Sequence, residues 1–134
     1  LVLALDSLVY FGHWITPDMM PKRFDTHFYL APAPPDQIAA HDGRETTDAI
    51  WIGAQAALNS EESGESVIIF PTRMNLKKLA TANSVEDAIQ RFGSEAVVTV
   101  KPQQSETPEG EPCLVIPDVK GYGQTVELLS RVNV

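Results

Sequence analysis

Residues 14–31 read W-I-T-P-D-M-M-P-K-R-F-D-T-H-F-Y-L-A, and the fold turns on how this stretch is taken. From Arg23 onward the residues alternate. Phe24, Thr26, Phe28 and Leu30 fall on one side of an extended chain, and Arg23, Asp25, His27 and Tyr29 fall on the other. Such period-two alternation marks a strand with one face on a core. The opposite face sets four side chains that donate, accept or carry charge in a row. A sheet surface of that chemistry is either solvated or the floor of a binding site.

Upstream, Leu8–Ile15 is apolar and aromatic, and reads as a second strand. Thr16-Pro17-Asp18 lies between the two as turn chemistry, because proline presets the turn while threonine and aspartate bond to nearby backbone. The expectation is two strands, Leu8–Ile15 and Arg23–Ala31, joined by a hairpin-like connection. Pro32-Ala33-Pro34-Pro35 ends the second strand, since proline cannot donate to a ladder.

Farther along, Glu45–Ile52 reads as the approach to a short strand ending in Ile50-Trp51-Ile52. Ala54–Glu62 reads as a helix with Ala54, Ala57 and Leu58 inward and Gly64 past its end. A helix over Arg73–Thr81 is expected, capped by Thr72, with Leu76, Leu79 and Ala80 on its buried side. Lys77-Lys78 is assigned to its solvated face. Ser84 caps a further helix, with Asp87 reaching back and Val85, Ala88, Ile89 and Phe92 as an apolar stripe. Ala96–Val100 and Cys113–Ile116 read as partners in an antiparallel pair across a long polar loop. Gln124–Val132 leans to helix. Both Trp14 and Trp51 are taken as core residues, buried strand aromatics being commoner than base-stacking ones.

The whole chain of 134 residues is one domain on this reading, with 43% apolar and 21% charged residues. No apolar run approaches the ~20 residues that span a bilayer, and no leader pattern is seen, so a cytoplasmic protein without membrane contact is expected. Cys113 is the one cysteine, which excludes an internal disulfide and a cysteine-based zinc site. Eighteen acidic against ten basic residues give a formal net charge of −8, which disfavours nucleic acid as a partner. A phosphate-ester ligand would draw much of its positive charge from a divalent cation.

W-I-T-P followed by P-K-R-F-D-T-H-F-Y-L-A resembles the middle of Nudix hydrolases, in the branch that includes the peroxisomal coenzyme A diphosphatases. H-D-G-R-E-T-T-D-A-I-W-I-G-A-Q-A-A-L and F-P-T-R-M-N-L-K-K-L-A are similar to later blocks of the same branch. The likeness covers roughly residues 8–81. It implies an α+β fold with a mixed, mostly antiparallel sheet and flanking helices. It further implies Mg2+, with Mn2+ as the alternative, and hydrolysis of a nucleoside- or coenzyme A-type diphosphate. The chain departs from the family at one point. The box G-x5-E-x7-R-E-U-x-E-E-x-G-U, whose glutamates hold the metal, does not occur here; Arg44-Glu45 is the sole Arg-Glu pair and no Glu-Glu follows it. The expectation is therefore a C-terminal portion of a longer Nudix protein, inactive by itself. The alternative is a non-catalytic module that binds a nucleotide or a protein.

On the resemblance, Glu45, six residues before Trp51, is the carried-over carboxylate, as metal ligand or catalytic base. Its other reading is a solvated loop residue. Arg23 either grips phosphate with Asp25 fixing its position, or pairs with Asp25 across the face. His27 and Tyr29 complete the substrate-facing row. His27 donates either to substrate or within the fold. The histidines, spread through the sequence, are not read as a metal site. A homodimer through an unpaired sheet edge is the expected assembly.

Overall fold

The computed structural model describes residues 5–36, 38–117, 121–123 and 125–132. The apolar opening at residues 1–4, and Gln124 at the head of the segment read as helix, lie outside the described residues. The architecture is α+β. No helix among the described residues is long and apolar enough to cross a membrane.

The two expected strands form and pair. Strand β1, Val9–Ile15, lies antiparallel to β2, Asp25–Leu30, with Tyr10 opposite Tyr29, His13 opposite His27 and Ile15 opposite Asp25. β2 begins two residues later than the alternation predicts, so Arg23 and Phe24 belong to the connection. That connection is closed by Thr16, whose N–H donates to the Phe24 carbonyl and whose hydroxyl accepts from Phe24 N–H, both at 3.0 Å. One residue, Phe11, has no partner across the ladder; the register shifts there as in a β-bulge. On the other side of β1 runs β3, Thr99–Val100, in parallel, giving the order β2-β1-β3.

A second three-stranded sheet holds β4 (Gln103–Glu106), β5 (Pro112–Ile116) and β6 (Thr125–Leu128), all antiparallel. This corrects three expectations. There are two small sheets where one was expected. Cys113–Ile116 pairs with Gln103–Glu106 and not with Ala96–Val100. The segment leaning to helix contains a strand. The cause is shared. An edge strand needs only its backbone groups for the ladder, so the fully exposed Gln103–Glu106 can pair with β5 without an apolar face. Its turn is set by Thr107, which bonds Glu111 and Gly110, and by Gly110 at φ +84°. Ile50, Trp51 and Ile52 form no strand and are exposed, with Trp51 at 69%. Among the described residues no strand lies beside them, and extended chain without a partner gains no ladder.

Helix α1, Ala54–Glu62, buries Leu58, and Gly64 at φ +79° follows its end as expected. Helix α2 spans Phe70–Leu79, starting three residues before the expected Arg73. Pro71 sits in its first turn, where a missing N–H costs no intrahelical bond, and Ile69 rather than Thr72 is the N-cap. The earlier start puts Phe70, Met74 and Lys78 on the inward stripe, while Leu76, Leu79 and Ala80 are half-buried. Helix α3, Val85–Gly93, has the expected Ser84 cap, whose hydroxyl accepts from Asp87 N–H at 3.1 Å. The Asp87 carboxylate reaches back one residue farther, to Asn83 N–H at 2.8 Å. Ala88 and Phe92 are buried, but Val85 is exposed and off the stripe.

The core has two parts. Trp14, Phe70, Met74, Val100, Leu114 and Ile116 form one, so α2 joins the two sheets through shared apolar contacts. Phe11, Ala88 and Phe92 form the other, beneath α3. Asn75 ties the first together: its buried Oδ1 accepts from Trp14 Nε1 at 3.3 Å and from the Tyr122 hydroxyl at 2.6 Å.

Candidate functional site

The polar face of the β1–β2 hairpin carries a connected set of side chains. β2 contributes Asp25, His27 and Tyr29 by alternation. β1 contributes Tyr10 and His13, and β3 contributes Thr99. Simple parity would put Tyr10 and His13 on opposite faces of β1. The extra residue at Phe11 reverses the phase and brings both to the same side.

The contacts run as a chain. Thr99 Oγ1 lies 2.7 Å from His13 Nδ1, and His13 Nε2 lies 2.5 Å from Asp25 Oδ1. The same carboxylate oxygen is 3.5 Å from His27 Nε2. His27 Nδ1 is 2.8 Å from the Tyr10 hydroxyl. The two imidazoles stack with centroids 4.2 Å apart and planes 12° from parallel. Tyr10 leans on Tyr29, ring centroids 5.2 Å apart. Burial, then the neighbouring Tyr29 and Asp25, raise the Tyr10 phenol above its ordinary value. His13 is the sheltered member, its side chain 15% exposed, whereas those of Asp25 and His27 are 62% and 48% exposed. The set thus has a fixed inner end and an open outer one.

Three of the expected substrate-facing residues, Asp25, His27 and Tyr29, are brought together. Arg23 is not with them. Its Nη1 lies 2.9 Å from Asp18 Oδ1, and Asp18 Oδ2 takes Lys101 Nζ at 2.7 Å. The pairing of Arg23 with Asp25 is therefore corrected: Arg23 precedes the ladder and meets Asp18 in the connection. Lys101, then Arg23, hold the Asp18 carboxyl below its ordinary value.

Glu45 lies in the exposed loop between β2 and α1. Asp42 Oδ1 shapes that loop by accepting from the backbone N–H groups of Arg44, Glu45 and Thr46 at 3.0, 3.1 and 3.0 Å. The Glu45 carboxylate has no partner among the described residues. The histidines do not stay dispersed: His13 and His27 meet across the ladder, which sequence separation hides. The reading of Lys78 as solvated is also corrected, since it is 7% exposed beneath three aromatic rings.

On the opposite face of the hairpin is an apolar cavity of about 410 Å³, lined among others by Trp14, Phe24, Thr26, Phe28, Phe70 and Leu114. It is a separate feature from the histidine row, since Thr26 and Phe28 alternate with Asp25 and His27.

Mg2+ is the ion that the resemblance implies. It requires near-octahedral oxygen ligation. The one group of three His, Cys, Asp or Glu side chains able to converge on an ion, among the described residues, is His13, Asp25 and His27, with two imidazole donors. Comparison with models of protein families, with curated proteins and with solved structures gave no match.

Proposed function

We propose that this chain is part of a Nudix-type hydrolase that cleaves a nucleoside- or coenzyme A-type diphosphate. One observation carries the reading. The segments on which the resemblance rests most strongly, W-I-T-P and P-K-R-F-D-T-H-F-Y-L-A, are adjoining arms of one antiparallel hairpin with a continuous polar face. A platform of that kind is what a diphosphate site needs on one side: donors in a row on rigid strands.

The reaction is attack of water on phosphorus with cleavage of the P–O–P bridge. In the family the charge is met by a divalent cation on the glutamate box, which is not among these 134 residues. The present residues do the binding. His27 and the Tyr29 hydroxyl, exposed on the face, donate to phosphate oxygens, and Asp25 orients the imidazoles. Arg23, free to leave a solvent-exposed pair, meets the far end of the substrate. Glu45, on its Asp42-shaped turn, is the candidate base.

The test is an assay with coenzyme A and nucleotide-sugar diphosphates in the presence of Mg2+. The 134-residue chain is expected to release no product, whereas a protein joining it to a segment bearing the box is expected to turn over. His27→Gln in that protein should raise KM. Robust hydrolysis by the short chain, abolished by Glu45→Gln, would show that the catalytic groups lie here instead. Tight binding of these compounds with no turnover in either protein would favour the non-catalytic module.

A further inference from the structure

We infer that His13, Asp25 and His27 bind one divalent transition-metal ion of the Zn2+ class on the open face of the hairpin. This goes beyond the diphosphate-hydrolase reading and stands without it; with the ion bound, His27 is a ligand and no longer a donor to phosphate.

The first support is convergence. One ligand atom from each residue lies within 4.8 Å of the others. Ligands held at about 2.0–2.2 Å from an ion sit roughly 3–3.5 Å apart. Asp25 Oδ1 and His27 Nε2, at 3.5 Å, already have that spacing. His13 Nε2 and Asp25 Oδ1, at 2.5 Å, share a hydrogen bond whose proton the ion replaces as the pair opens. Asp25, being exposed, can make that adjustment by side-chain rotation alone.

The second support is independent of the first. Each histidine has its far nitrogen engaged: Nδ1 of His13 with the Thr99 hydroxyl and Nδ1 of His27 with the Tyr10 hydroxyl. Both rings therefore present Nε2 to the same point. Metal-binding histidines are oriented in this way, by an outer hydrogen bond that fixes tautomer and ring plane. The backbone adds rigidity, since His13 and His27 are direct cross-strand partners and Thr99 is the partner of His13 on the other side.

Two imidazoles and one carboxylate select the class of ion. That donor set suits Zn2+, Fe2+, Co2+ or Ni2+ and not Mg2+ or Ca2+, which prefer oxygen throughout. Three protein ligands on an exposed face leave coordination positions for water or an anionic ligand. The site is thus of the open kind rather than a closed structural one.

The experiment is calorimetric titration of the chelator-stripped protein with Zn2+ and, separately, with Mg2+. Co2+ serves as a spectroscopic probe. One Zn2+ per chain is expected, with Co2+ competing for the site and showing visible ligand-field bands, and no displacement by excess Mg2+. Asp25→Asn and His27→Gln replace exposed residues, and far-ultraviolet circular dichroism should be unchanged. Each should weaken Zn2+ by more than the roughly 10–100-fold that losing an outer hydrogen-bond partner brings. Thr99→Val and Tyr10→Phe should fall within that 10–100-fold range. Absence of saturable Zn2+ binding would overturn the inference. So would affinity unchanged in both ligand variants, or Mg2+ competing on equal terms.

Discussion

The Lys78 ammonium lies 3.3 Å from the Phe11 carbonyl oxygen and 4.8 Å from the centre of the same residue's ring. One residue of the bulge thus supplies both an acceptor and a π face. The rings of Phe92 and Tyr122 complete the enclosure at 5.1 and 5.4 Å, and Glu95 Oε2 stands 3.6 Å away. This is a lysine held inside the fold by cation–π contacts and a single carboxylate.

Burial lowers the pKa of Lys78 from 10.5, with Glu95 opposing the shift. Between the lowered value and 10.5 the unfolded chain carries more protons than the folded one. The contribution of this group to stability therefore rises with pH across that window. Lys78→Met keeps the stem and removes the charge. Urea midpoints measured from neutral pH upward should show the wild type gaining on the variant as pH rises. Burial raises Tyr122 from 10.0, so that phenol works in the opposite sense above that pH; the difference between the two curves isolates Lys78. Parallel curves would sink the assignment.

Arg73 joins α1 to β6 through α2. Its Nη1 donates to Glu61 Oε1 at 2.6 Å, and its Nη2 is paired with Glu127 Oε2 at 2.9 Å, off the line of a hydrogen bond. The three side chains are 10%, 17% and 15% exposed. Arg73→Ala should cost about 3–5 kcal/mol, because it strands two sheltered carboxylates. The triple change Arg73→Met, Glu61→Gln, Glu127→Gln should recover most of that loss in chemical denaturation.

Gly12 packs against the Asn75 knot. A Cβ there would stand 2.9 Å from the Tyr122 hydroxyl and 3.1 Å from Asn75 Oδ1. Gly12→Ala should therefore destabilise by about 1–3 kcal/mol through overpacking. A change in Trp14 fluorescence should accompany it, since the indole N–H shares the same acceptor. An unshifted midpoint would mean that the two side chains can move apart freely.

Hydrogen bonds from Thr46, Arg44 and Glu45 hold the Asp42 carboxyl below its ordinary 3.8. A depressed carboxyl stabilises above its unfolded value, and that contribution is lost as pH falls through the folded one. The amide resonances of residues 44–46 should thus stay put as pH drops to 3.8 and shift together below it. Asp42→Ala should abolish the transition and leave Glu45 without a fixed turn.

Much of the hairpin was legible in sequence because alternation and turn chemistry are local. The same rule yields Asp25, His27 and Tyr29. It cannot place Tyr10 on the same face as His13, because an extra residue at Phe11 flips the parity of everything before it and no composition marks the bulge. Thr99, 86 positions from His13, has no local signal at all. Lys78 was within reach: it lies at i+8 from Phe70 and i+4 from Met74, on one helical stripe. Starting the helix at Arg73 concealed that spacing. Polar Gln103–Glu106 is a strand only because β5 offers it a ladder, which is a tertiary fact.

The parallel contact of β1 with β3 fixes an order of events. The hairpin is made before the three helices, and the strand that completes its other edge emerges only after them. Closing so long a loop is entropically slow. The nascent chain must therefore carry an open sheet edge through the synthesis of those helices, and β1 is the segment a chaperone would find uncovered.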